Sequence, residues 1–224
     1  MDQFSKWVEC IALPSQTAEI TAKAAIDNFF SRFGCPLQIH SDQGTNFEST
    51  LFQNLCERLG IHKTRTTAYR PSCNGQVERF NRTLMDALRC YVSKSPANWD
   101  EYLPQLAGAL RSAVNRSTGY TPNMLMLGRE VVHPLDLVYP SKMLGQPVDP
   151  DTYVSQLVQN TRLAHQIARK KLKSSQLVTK KNYDLKICVH EYNIGDIVYV
   201  LDTASLKGKC KKLSPVWKEP GLSL

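Results

Sequence analysis

Little in this sequence points to a membrane, a secretory route or a zinc module. No run of about 18 apolar residues occurs, so no segment reads as a membrane-spanning helix. The opening, MDQFSKWVEC, lacks a basic segment followed by an apolar stretch, and so does not read as a signal peptide. The seven cysteines (Cys10, Cys35, Cys56, Cys73, Cys90, Cys188 and Cys210) are odd in number, widely spread and never in a C-x-x-C pair. That argues against a disulfide framework and a zinc ribbon, and a reduced intracellular setting fits. His40, His62, His133, His165 and His190 have no cysteine partners at zinc-ligand spacing, and read as surface or satisfied polar residues. No internal repeat is visible.

What is present is 224 residues with 42% apolar content, enough for one sizeable domain and a small one. The net charge of +8 is unevenly placed. Residues 1–161 hold 15 basic and 15 acidic residues, while residues 162–224 hold 13 basic against 5 acidic. A basic segment of this kind is the footprint of a polyanion partner, or else a solvated helix face.

Along the chain, QFSKWVECIALP alternates like a strand and stops at Pro14. TAEITAKAAIDNFFSRFG reads as a helix, with Thr17 as cap, Ala22, Ile26, Phe29 and Phe33 at helical spacing and Gly34 past its end. LQIHSD is a short strand, STLFQNLCERLG a second helix and HKTRTTAY another strand. This alternation predicts an α/β domain with a partly parallel sheet. RPSCNG is a loop, followed by a long amphipathic helix, QVERFNRTLMDALRCYV, and a further helix, WDEYLPQLAGALRSAVN. TGYTPNMLMLGREVVHPLDLV reads as loop-rich. A boundary falls near residues 138–150, a helical stretch covers about 151–186, and YNIGDIVYVLD reads as a strand of a small β-domain.

Asp42 ends the LQIHSD strand, and Glu78 lies one turn into the long helix, with 35 residues between them. A strand end and a helix start can converge at the carboxyl edge of a sheet, where α/β folds place ligands. Two convergent carboxylates suit Mg(II) or Mn(II), hard ions that prefer oxygen. Two such ions, about 3.5–4 Å apart, serve phosphodiester chemistry, normally with a third acid to bridge them. Taken singly, Asp42 is equally an Asp–Gly turn residue, and Glu78 an acid complementing a helix dipole.

IHSDQGTNF and AYRPSCNGQVERFNRTL together closely resemble the catalytic core of the integrases of gypsy-type LTR retrotransposons and retroviruses. The resemblance extends through WDEYLPQLAGALRSAVNRSTGYTPNMLMLGR and into IGDIVYVLD and LSPVWKEPG, which look like the small β-barrel that follows the core. It implies a ribonuclease H-like α/β catalytic core over residues 1–140, lacking its first strand. A helical basic linker over 141–190 and the start of a C-terminal β-barrel over 191–224 would follow. It further implies that Asp42 and Glu78 are catalytic, metal-binding carboxylates holding two Mg(II) or Mn(II) ions. Tyr69, Pro71, Asn74 and Gly75 would form a mobile loop at the DNA end, and Asn46 would lie near the target strand. Gln76, Arg79 and Arg82 would contact phosphate from the helix that carries Glu78, or else form ordinary surface. Lys170 and Lys171, with Arg169 and Lys173, would follow a DNA backbone or stay hydrated. The implied activity is trimming of element-end DNA and its transfer into target DNA, in the nucleus, by a homo-oligomer with no membrane partner.

Two features depart from the family pattern. The family's first catalytic aspartate lies upstream of the FSKW strand, and Asp2 does not occupy that position. The His/Cys zinc domain that precedes the core in the family is also missing here. The chain is therefore expected to be inactive by itself and weakened in its core. A non-catalytic host DNA-binding protein derived from such an element, or a decayed fragment, is the alternative. Trp7 and Trp99 are expected in the core, and Trp217, among Lys211, Lys212 and Lys218, either in barrel core or against bases.

Overall fold

Thr17 opens the first regular element. In a computed structural model of the protein, which describes residues 1–67, 75–92, 96–133, 136, 138, 149–185, 193–199 and 221–222, helix α1 runs Ala18–Ala25. Thr17 Oγ1 accepts the Ile20 N–H at 3.4 Å, the cap expected of a threonine there. The helix widens into a π turn over Ile26–Phe30, closes with Ser31–Phe33, and stops at Gly34 with φ of 80°. Ala22 is buried, while Ile26, one turn on at the start of the π turn, is 40% exposed.

Strand β1 (Gln38–Ser41), helix α3 (Thr50–Arg58) and strand β2 (His62–Arg65) follow as expected, with a short additional helix, α2 (Thr45–Glu48), between β1 and α3. The strands pair in parallel, from Gln38 opposite His62 to Ser41 opposite Arg65. Parallel neighbours need a crossover, which α2 and α3 supply. Ser49 caps α3 by accepting the Phe52 N–H at 3.2 Å. Ala22, Phe52, Cys56 and Ile61 bury together, with Phe30, Ile39, Phe47 and Leu55 packed on them.

QFSKWVECIALP does not form the expected strand. Residues 2–7 make a turn closed by the Asp2 N–H to Trp7 O at 2.8 Å and the Lys6 N–H to Asp2 O at 3.2 Å. Asp2 Oδ2 accepts both the N–H and the Oγ–H of Ser5, which explains this acid structurally. Ser5, Lys6, Trp7 and Val8 are buried consecutively, so the alternation does not become two faces, and no strand lies alongside among the described residues. Trp7 is core as expected, 7% exposed, with Phe33 edge-on and the Arg111 guanidinium 4.7 Å from its ring centroid.

Helix α4 (Gly75–Val92) is the long amphipathic helix of the sequence reading. A 3-10 stretch, Pro96–Tyr102, leads into α5 (Leu103–Ser112), with Pro104 in its first turn where no N–H is lost. Leu88, Leu103 and Leu106 form a second core cluster with Leu84, Ala87, Val92 and Tyr102. Trp99 is not in it: the backbone kinks at Asn98, and Trp99 is 41% exposed.

The stretch expected to be loop-rich contains helix α6, Pro122–Leu127. Six residues are too few to show a period, but both ends are marked. Thr121 Oγ1 accepts the Met124 N–H, Pro122 is the first helical residue, and Gly128 caps the end at φ 71°. Helix α7, Pro150–Asp184, matches the predicted helical stretch, and its Ala164 and Ala168 bury against Leu125 with Phe4, Tyr120 and Met124 around them.

The chain divides into two units, Met1–Ser175 and Gln176–Leu224. In the second, β3 (Ile197–Val198) pairs antiparallel with β4 (Gly221–Leu222). A turn leads into β3, in which Asp196 Oδ2 accepts the Asn193 N–H at 2.7 Å. Residues 139–148, in the expected boundary, and Trp217 with its neighbouring lysines lie outside the described residues.

Candidate metal and nucleic-acid site

Asp42 follows the last residue of β1 and is exposed. Its Oδ1 accepts the Gly44 N–H at 3.1 Å, so the carboxylate is held in a turn rather than left swinging. Gly44 is tightly enclosed there: a Cβ would lie 2.7 Å from Asn46 Oδ1 and 3.0 Å from Asp42 Oδ1. Glu78 is exposed in the first turn of α4, where a negative charge is favoured by the helix dipole. The two acids belong to different packing groups. Asp42 adjoins the cluster built on Phe52, and Glu78 rides on the helix that packs against Tyr102 and α5. Both present carboxylate oxygen, the donor type a hard divalent cation takes. Among the described residues, no group of three or more His, Cys, Asp or Glu comes together as a metal site.

Asn46 is half-buried, and its amide donates to Thr21 Oγ1 at 3.1 Å, tying α2 to α1. Its side chain is thus used within the fold. Tyr69, Pro71 and Asn74 lie outside the described residues, and Gly75 is the first residue of α4. At about 100° per residue, α4 separates the remaining candidates into two faces. Glu78 and Arg82, four apart, share one. Gln76 and Arg79 share the other, and with Phe80 and Thr83 they line a cleft of about 360 Å³. Lys170 and Lys171 are both exposed on α7, and Lys171 lies across the turn at Gly119, where a Cβ would meet its Nζ at 2.5 Å.

The histidines among the described residues fit the reading of surface or satisfied polar groups, His62 being exposed. His165 Nε2 lies 2.7 Å from Leu125 O, His133 Nε2 2.6 Å from Ser112 Oγ, and His40 Nδ1 3.0 Å from Thr64 Oγ1. Cys10, Cys35, Cys56 and Cys90 are free thiols; burial pushes those of Cys10 and Cys56 up from the ordinary range.

Sequence reasoning missed two groups. Glu48 binds Lys63 and Arg65, each at 2.6 Å, and these bonds hold its carboxyl below the ordinary range. Lys6 and Arg116 line the cleft beside Gln76 and Arg79. The strand reading of FSKW hid Lys6, and Arg116 sits in NRSTGY, whose polar turn composition was its only signal.

Residues 1–71 match the model of the Integrase core domain, a stretch that contains Asp42 and ends before Glu78. The chain is 26% identical, over 94% of its length, to the Retrovirus-related Pol polyprotein from transposon 412 of Drosophila melanogaster. It is 31% identical, over 98% of its length, to the Gag-Pol polyprotein of avian reticuloendotheliosis virus. This chain belongs to the retroviral-type integrases. It spans 17% and 18% of the length of those two Pol relatives. Among solved structures, the intasome of simian T-cell lymphotropic virus in complex with PP2A regulatory subunit B56 gamma is 20% identical. The match covers all of this chain and 60% of that one, with a TM-score of 0.51, and shows a shared fold. The HTLV-2 integrase catalytic core domain in complex with magnesium is 27% identical over 54% of this chain and 77% of that one, with a TM-score of 0.45.

Proposed function

We propose that this integrase chain takes part in DNA integration by metal-dependent phosphodiester chemistry, first trimming element-end DNA and then joining its 3′ end to target DNA. The observation that carries this reading is Asp42 at the carboxyl end of a parallel strand, inside the segment that matches the Integrase core domain, with Glu78 following in the first turn of α4. Magnesium is the ion in the HTLV-2 core structure, and Mg(II) or Mn(II) suits the same donor type here. Asp42 and Glu78 are the residues that would hold the metal. Such ions, when bound, stabilise charge on the attacking and leaving oxygens of a phosphodiester.

The remaining roles fall to the protein's own groups. The Gly44 N–H orients the Asp42 carboxylate. Arg82, one turn past Glu78, offers a cation to a phosphate near that acid. Tyr69, Pro71, Asn74 and Gly75 would seat the DNA end, and Lys170 would follow the backbone further on. By this reading the enzyme works in the nucleus as a homo-oligomer, and the basic C-terminal segment forms a helical linker and part of a small barrel. No helix among the described residues is long and apolar enough to cross a membrane.

One observation favours a non-catalytic DNA-binding role for the chain as it stands: no three-acid group forms among the described residues. We therefore expect the purified 224-residue chain to give no strand-transfer product with Mn(II), and strand transfer at the level of an active integrase would contradict that expectation. Duplex-DNA binding separates the two roles. If Asp42 and Glu78 form a metal site beside the DNA, Mn(II) will tighten binding by the wild type and not by Asp42→Asn or Glu78→Gln. Equal binding with and without metal in all three proteins would favour the non-catalytic reading.

A further inference from the structure

Two clefts of the first unit differ in the charge of their lining. The larger, about 650 Å³, lies between α1 and α3, and its charged lining is Glu19 and Asp27 against Lys23 and Arg58. Equal numbers of acids and bases give it no net pull on a polyanion. The smaller, about 360 Å³, lies between the N-terminal turn, α4 and the loop 113–117. Its charged lining is Lys6, Arg79 and Arg116, with no acid.

Three observations bear on what this cleft takes. Arg79 and Arg116 have no ion-pair partner among the described residues, while Arg65, Arg89 and Arg111 each reach a carboxylate. Lys6, only 6% exposed, is a buried cationic residue of the lining; it adopts φ of 64°, uncommon for a residue with a Cβ, and its Nζ donates to Gln3 O. The positive field continues past the cleft. The turn 115–120, closed by the Gly119 N–H to Asn115 O at 2.7 Å, supports Lys171 on its other side, and Arg169 lies 5.6 Å from the Phe4 ring centroid.

We propose that this cleft takes one phosphate of a nucleic-acid backbone, with Arg79 and Arg116 as its ligands and the turn 115–120 as the saddle leading toward Lys171. The planar guanidinium is the side chain best matched to phosphate oxygens, and a cleft whose charged lining is all cationic, between apolar walls that include Phe80 and Leu110, strengthens its pull on an anion. The proposal rests on the DNA reading above and deepens it. It places a backbone contact on the face of α4 turned away from Glu78, and adds a residue, Arg116, that follows α5 in the chain.

The test is anisotropy of a short, labelled duplex of mixed sequence with the full chain, titrated at salt concentrations from about 50 to 200 mM. Arg116→Gln and Arg79→Gln should each weaken binding several-fold and make the slope of log K against log salt shallower by about one. Arg116→Lys should keep the wild-type slope, and Arg32→Gln, exposed in the turn before Gly34, should change nothing. Far-UV spectra of the variants establish that they are folded. If the wild type binds with a steep salt dependence and both glutamine variants keep its slope, the cleft is not a phosphate site and the DNA reading stands. If the wild type shows no salt-dependent binding, both fail.

Discussion

Glu48 lies at the end of α2 and receives Lys63 Nζ and Arg65 Nη1, both from β2. The two bonds favour its charged form, so its folded-state pKa is depressed. A depressed carboxylate contributes stability that is present above the unfolded-state pKa and lost as pH falls through the folded-state value. Urea midpoints should therefore drop on acidification below about pH 4.5, and Glu48→Gln should flatten that part of the profile. An unchanged acid limb in the variant would remove Glu48 from the account. Asp42 shows the complementary case. Asn keeps an acceptor for the Gly44 N–H, so Asp42→Asn should leave the urea midpoint almost unmoved while removing the charge. Asn46, which the resemblance places near the target strand, also holds α1 and α2 together through Thr21, a tertiary bond with no trace in local sequence.

At the scale of elements, the parallel pair and its crossover were legible because each helix carries its own punctuation. Thr17 and Ser49 start helices, and Gly34 and Gly60 stop them, at φ of 80° and 66°. Phe52 centres the cluster beneath the crossover and is 2% exposed. Phe52→Ala should cost about 3–5 kcal/mol by denaturant titration, since both transfer free energy and packing are lost. The segment around Trp7 was misread for a physical reason. Alternation states which side chains would face the same way, but a ladder needs a partner strand, and the Asp2 turn here supplies competing hydrogen bonds. Helix α6 was missed because six residues carry no period. Its cap glycine explains its position: at Gly128 the backbone is left-handed, and a Cβ would meet Leu157 Cδ1 at 3.0 Å and collide with Thr161 Oγ1. Gly128→Ala should thus destabilise by more than about 1 kcal/mol, combining positive φ with lost room between α6 and α7. A neutral effect on the unfolding midpoint would contradict that close approach.

For the whole molecule, charge distribution and family membership point the same way. The excess of basic residues lies in 162–224, and the chain matches Pol relatives over nearly its entire length. The spacing of Asp42 and Glu78 was readable because a strand end and a helix start are local features. The meeting of Lys6, Arg79 and Arg116 was not, because it depends on how the N-terminal turn, α4 and the loop after α5 pack. The central claim is that Asp42 and Glu78 act together as a metal site. Titration of Mn(II) into the full chain, with free ion followed by electron paramagnetic resonance, tests it most directly. The wild type should bind the ion, and binding should be lost in Asp42→Asn and equally in Glu78→Gln, with the fold intact in both. Binding that survives either substitution, or no binding by the wild type, would contradict it.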